Sequence, residues 1–147
     1  MFPKLFNANS GSCNMRMHRY PKEQGYIYSV AAFREIMHRE CARSKRNGHG
    51  FAFVVLQLPQ GEEPRAVANR IVELVGDWLR VTDHAGWLQQ NRRLAILLYA
   101  CGTDDAKGFV ERLRKGGKFD ALKYDIYSYP DNFPKDVLNP VTEVANG

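Results

Sequence analysis

At 147 residues, with 44% apolar and 25% charged side chains, the chain has the size and composition of one globular domain, able to bury about two-thirds of its unfolded surface. No apolar run reaches the roughly 20 residues that cross a bilayer, and the N-terminus lacks the apolar core and cleavage site of a secretory signal, so a cytoplasmic location without a membrane span is expected. A net charge of +5 tolerates an anionic partner, but Glu35, Glu40 and Glu111 are interleaved with the helix arginines and lysines, as on solvated faces. Cys13, Cys41 and Cys101 are scattered singly and the histidines do not cluster with them, which argues against a zinc site or a disulfide framework; no cofactor is indicated.

Residues 1–25 are polar and read as a flexible arm or linker. Ser29 can cap a helix over 30–47, in which Val30, Phe33, Met37 and Cys41 recur at helical spacing and Gly48 supplies the stop. Residues 51–58, FAFVVLQL, are apolar throughout, as in a strand buried on both faces. Pro59 and Gly61 end that strand, and Pro64 suits the first turn of a helix. Val67, Ile71, Leu74, Val75 and Trp78 carry the helix to about Arg80. Residues 84–88 and 93–100 then read as a hairpin around the polar turn Gln89-Gln90-Asn91-Arg92-Arg93. Thr103 can cap a third helix, with Asp104 and Asp105 in its first turn and Ala106, Phe109, Val110 and Leu113 on its inner stripe. Residues 122–129 are rich in β-formers, and residues 131–147, with Pro134 and Pro140, read as an extended tail.

The order is a leading helix followed by βαββαβ. It predicts an α+β fold over 26–130: a ferredoxin-like antiparallel sheet, two crossover helices on one face, and an extra N-terminal helix. The runs FAFVVLQL and LAILLY belong at the centre of that sheet.

This arrangement, with Leu79-Arg80-Val81-Thr82-Asp83 five residues before the hairpin turn and Tyr124 to Pro130 closing the domain, resembles the GGDEF domain of diguanylate cyclases, a nucleotidyl-cyclase-like fold. The resemblance implies a role in bacterial cyclic di-GMP signalling. It also implies that the signature turn, which in a cyclase serves GTP and metal, is here degenerate. Gln89 and Gln90 stand for its glycines, Asn91 and Arg92 for its acidic positions, and Arg93 for its aromatic. Gln57 and Pro59 occupy the places of the first-strand metal carboxylates. An amide is a poor magnesium ligand and a proline side chain offers no oxygen. Only 22 residues separate Gln57 from Arg80, a shorter connection than the family's. A catalytically inactive domain with no catalytic residues is expected.

In the family, Arg-x-x-Asp at this place can form an inhibitory cyclic di-GMP site. The resemblance therefore implies Arg80 and Asp83 as ligand-binding residues, with Trp87 able to stack on a base. The chemistry is suitable, since an arginine fork pairs with phosphate or a guanine edge and a carboxylate accepts from guanine donors. The local alternative is structural: Arg80 near helix carbonyls, Asp83 capping a turn or pairing with Arg80, and Trp87 in the core or an interface. Arg92 and Arg93 form a second basic spot, open to an acidic partner or nucleotide, or simply solvated.

Two other functional classes compete. One is a purely structural module that binds another protein domain or a second copy. The other is RNA recognition, because His49 to Leu56 approximates an aromatic strand motif of RRM domains. The motif falls on the first strand rather than the third, so nucleic acid is disfavoured and Phe51 and Phe53 are expected in the core.

Overall fold

The computed structural model describes residues 26–117, 119 and 121–134, which leaves the proposed arm at 1–25 and most of the proposed tail outside the described residues. In chain order the elements are α1 (Val30–Asn47), β1 (Phe51–Gln57), α2 (Pro64–Val75), β2 (His84–Gln89), β3 (Arg93–Tyr99), α3 (Thr103–Gly117) and β4 (Lys123–Tyr129). The strands form one antiparallel sheet in the order β2-β3-β1-β4. The two continuous apolar strands lie at its centre, as their sequences predict.

Burial on both faces explains the lack of alternation in β1, where Phe51 to Leu56 are all buried. Ala52, Val54 and Leu56 face α2 and α3, sharing a core with Val67, Ile71, Val75, Val110, Leu113 and Ile96. Phe51, Phe53 and Val55 face the other way, toward Phe33, Ile36, Met37 and Cys41 of α1. The leading helix thus covers the face that the crossover helices leave bare, giving three layers. Burial in this second core pushes the Cys41 thiol up to about 11.

Close approach of α1 to the sheet depends on one residue. At Gly86 on β2 a side chain would collide with the ring of Phe33. Only glycine lets a fully buried Phe33 lie against the strand at that point. Tyr28, just ahead of α1, bridges in parallel to Gly86 and exchanges backbone hydrogen bonds with Ala85 and Trp87. Helix α1 begins at the expected cap, where the Ser29 hydroxyl accepts from Ala32 N–H at 3.2 Å, and ends at Gly48 with φ of 79°.

Three boundaries differ from expectation. Helix α2 stops at Val75 rather than near Arg80, because the chain turns through Gly76 and Asp77 while Trp78 and Leu79 keep packing on the core. The apolar period survives the turn although the helix does not. At the start of α3, Gly102 occupies the capping position instead of Thr103: its carbonyl accepts from Ala106 N–H, and Asp105 reaches back to its N–H at 3.2 Å. Beyond β4, Phe133 packs against Phe51, Phe53 and Tyr129, so core contacts continue past residue 130. Among the described residues no helix is long and apolar enough to cross a membrane.

Candidate functional site

Two places hold the residues that the sequence singles out, and they lie at opposite ends of the sheet. The first is where β3 ends and β2 begins. Past α2 the chain makes a tight turn in which Asp83 N–H donates to the Arg80 carbonyl at 2.9 Å. This turn aims the Asp83 side chain inward, where it is 2% exposed. Its carboxylate accepts from Arg80 N–H at 2.9 Å, from Tyr99 N–H at 2.9 Å and from Arg80 Nε at 3.2 Å. Arg80 Nη2 also donates to the Tyr99 carbonyl and to Cys101 Sγ. Arg80 and Asp83 thus fasten the α2–β2 connection to the end of β3. The Tyr99 hydroxyl accepts from Asn47 at the end of α1, and Arg43 lies over its ring, which ties that helix to the same node.

Electrostatics there reflects burial. Loss of water raises the Asp83 pKa above the ordinary carboxylate value, against the pull of Arg80 and two backbone amides. Burial works against the Arg80 charge, but adjacent Asp83 overrides it and the guanidinium pKa is raised. Burial also lifts the Cys101 thiol, opposed by Arg80. The Arg80 side chain keeps 33% of its surface in solvent, whereas the Asp83 carboxylate has almost none to offer. Trp87 does not lie on the surface: it is 6% exposed, in the core between the sheet and α2–α3. Phe51 and Phe53 are also internal, stacked on Tyr129 and Tyr127, so they present no open platform for bases.

At the other end, where β1 finishes, lies a cleft in two adjoining parts of about 550 and 470 Å³. Both share the segment following β1, including Gln57, Leu58, Pro59, Gln60 and Glu62. The β2–β3 turn lines the larger part through Gln89, Asn91, Arg92 and Arg93. Asn91 sits in the left-handed region at φ 63°, which asparagine tolerates, and Arg92 N–H closes the turn on Gln89. Leu58 N–H bonds to the Arg92 carbonyl at 2.9 Å, holding the loop and hairpin together. Arg70, Phe119, Leu122 and Lys123 line the smaller part.

The polar lining consists mainly of amides and cations. Among the described lining residues Glu62 is the one carboxylate, and its Oε1 pairs with Arg70 at 3.4 Å. Strand register brings Gln57 opposite Arg93 on β3 and opposite Lys123 on β4. The sequence shows Gln57 and the arginine pair as separate features. Lys123 carries no motif, and only the pairing of β4 with β1 reveals it as their neighbour. Among the described residues no group of three His, Cys, Asp or Glu is placed to hold a metal ion.

No family model and no curated protein matches the chain. Solved structures do. A DGC protein from Thermotoga maritima aligns with a TM-score of 0.60 at 16% identity, covering 84% of this chain and 94% of that one. A microbial GGDEF domain studied with cyclic di-GMP aligns with a TM-score of 0.52 at 17% identity, covering 68% and 71%. Similarity at this level establishes a GGDEF-like fold.

Proposed function

We propose that this chain is a GGDEF-like regulatory domain in cyclic di-GMP signalling that does not itself cyclise GTP. The observation carrying this reading is the chemistry of the cleft at the end of β1. Joining two nucleoside triphosphates requires phosphate charge to be neutralised and the attacking hydroxyl positioned, work that divalent metals perform when carboxylates hold them. Gln57 and Pro59 provide no anionic oxygen, Glu62 is paired with Arg70, and Arg92 and Arg93 bring positive charge where a cation would bind. These residues do not fit a magnesium or manganese ion. Purified protein incubated with GTP and either metal is expected to form no cyclic di-GMP by liquid chromatography. Metal-dependent product above a no-protein control would overturn the reading.

A second reading assigns cyclic di-GMP recognition to Arg80, and one observation favours it: a third of the Arg80 side chain is exposed although its partner is buried. A ligand phosphate could meet that exposed edge while Asp83 holds the other. Calorimetry with cyclic di-GMP against wild type and Arg80→Ala tests it. Binding that is absent in wild type leaves the domain as a protein-interaction or dimerisation module, and binding equal in both proteins places the ligand away from Arg80.

A further inference from the structure

We propose that the outer face of α2 and α3 is a self-association surface, on which a second copy of this chain docks across a two-fold axis running along the groove between the two helices. The inference goes beyond the regulatory reading and depends neither on GTP turnover nor on cyclic di-GMP binding. Three observations carry it. The groove holds an aromatic pair under a cation. Trp78 meets Phe109 edge-on with 5.7 Å between ring centroids, and the exposed Arg112 lies over the Trp78 ring at 4.1 Å. Leu74 extends the same stripe, and the core beneath buries Leu74, Trp78 and Phe109 only in part. Tryptophan and arginine are enriched at the energetic centres of protein interfaces.

The rims of the groove carry opposite charge. Leu74 lies beside Gly116, and Trp78 beside Phe109 and Arg112, so the two helices run antiparallel. That order sets the exposed Glu73 and Asp77 on the α2 side level with the exposed Lys115 and Arg112 of α3. Among the described residues neither Glu73 nor Lys115 forms an ion pair. A two-fold axis along the groove keeps these levels and lays α2 of one copy on α3 of the other. Glu73 then meets Lys115 of the partner subunit, and the reciprocal pair forms on the other side of the axis, so acidic rim lies on basic rim twice while the aromatic stripe meets itself. This self-complementarity favours a second copy over an unrelated protein, which would have to supply both rims separately.

The third observation is Gly108. It is exposed inside α3, one turn from Arg112 on the same side, and a side chain there would meet nothing within 4 Å. The fold does not require this glycine, which weakens the helix relative to other residues. A partner packed closely on α3 does require a flat helix surface at that point. The two helices have 12 and 15 residues, about 18 and 22 Å of length, so the shared face is small and the dimer weak.

The experiment is sedimentation velocity of the full chain from about 1 to about 500 µM. A monomer–dimer equilibrium with a dissociation constant on the order of tens of micromolar is expected. Gly108→Gln should weaken it about tenfold or more while keeping or raising the thermal midpoint, because glutamine is the better helix former and has open space in the monomer. Glu73→Lys and Lys115→Glu each place like charges across the axis and should each weaken association about tenfold. An equimolar mixture of these two variants should associate nearly as well as wild type, since each copy supplies the charge that the other has lost. Attraction within one copy would give no such rescue. The proposal is overturned if wild type stays monomeric throughout the range, if Gly108→Gln dimerises as well as wild type, or if the mixture associates no better than its separate components.

Discussion

The two ends of the sheet treat charge in opposite ways. At the end where β3 finishes, Arg80 and Asp83 are turned inward on each other and on the backbone of Tyr99. At the end where β1 finishes, Arg70, Arg92, Arg93 and Lys123 outnumber Glu62, the one carboxylate among the described lining residues. A charge that organises the fold needs a partner supplied by the fold; one that recruits a ligand needs that place left open. The comparison therefore predicts large stability effects and small binding effects at the first end, and the reverse at the second.

Removing the carboxylate gives the largest expected loss. Asp83→Ala leaves a half-buried guanidinium and the Tyr99 N–H without their acceptor, costing about 3 kcal/mol in urea denaturation. A cost below about 1 kcal/mol would show that this end is not a fastening. Next comes Gly86→Ala, which forces Phe33 away from β2 and should cost about 2 kcal/mol. Arg80→Ala should cost about 1.5 kcal/mol, less than removal of Asp83, because two backbone amides still serve the carboxylate. In a double-mutant cycle Arg80 and Asp83 should not be additive. At the open end, Arg93→Gln and Lys123→Gln should each move stability by no more than about 0.5 kcal/mol. A larger loss there would make the cleft cations structural and erase the contrast.

A pH series sharpens the same comparison. The folded-state pKa of Asp83 is raised by burial, so its linked contribution is fully present below the unfolded value and is lost as pH rises through the folded value. Acidification from about pH 7 to about pH 4, near the unfolded carboxylate value, should therefore not narrow the gap in thermal midpoint between wild type and Asp83→Asn. A narrowing gap would mean that the Arg80 attraction, not burial, governs the carboxylate.

Legibility from sequence divides along similar lines. The sheet was readable because FAFVVL and LAILL are buried on both faces, and Gly48 and Pro64 mark helix boundaries by local rules. The end of α2 was not, since Trp78 and Leu79 continue its apolar rhythm through a turn. The sequence offered Arg80 and Asp83 both as a ligand site and as a mutual pair. Spacing alone could not choose, because Tyr99, which occupies both side chains, lies on another strand. Gln57 and Lys123 are 66 positions apart and become neighbours only through strand register.

The bridge from Tyr28 to Gly86 bears on how copies of this chain could associate. It occupies the outer margin of β2 at its midpoint, whereas β4, the other edge strand, is bridged among the described residues only near its end, from Ser128 to Asn132. A sheet with one blocked and one open margin has a valence of one. Were two copies to pair edge to edge through β4, the blocked margins of β2 would stop the assembly at two copies instead of letting it propagate into a filament.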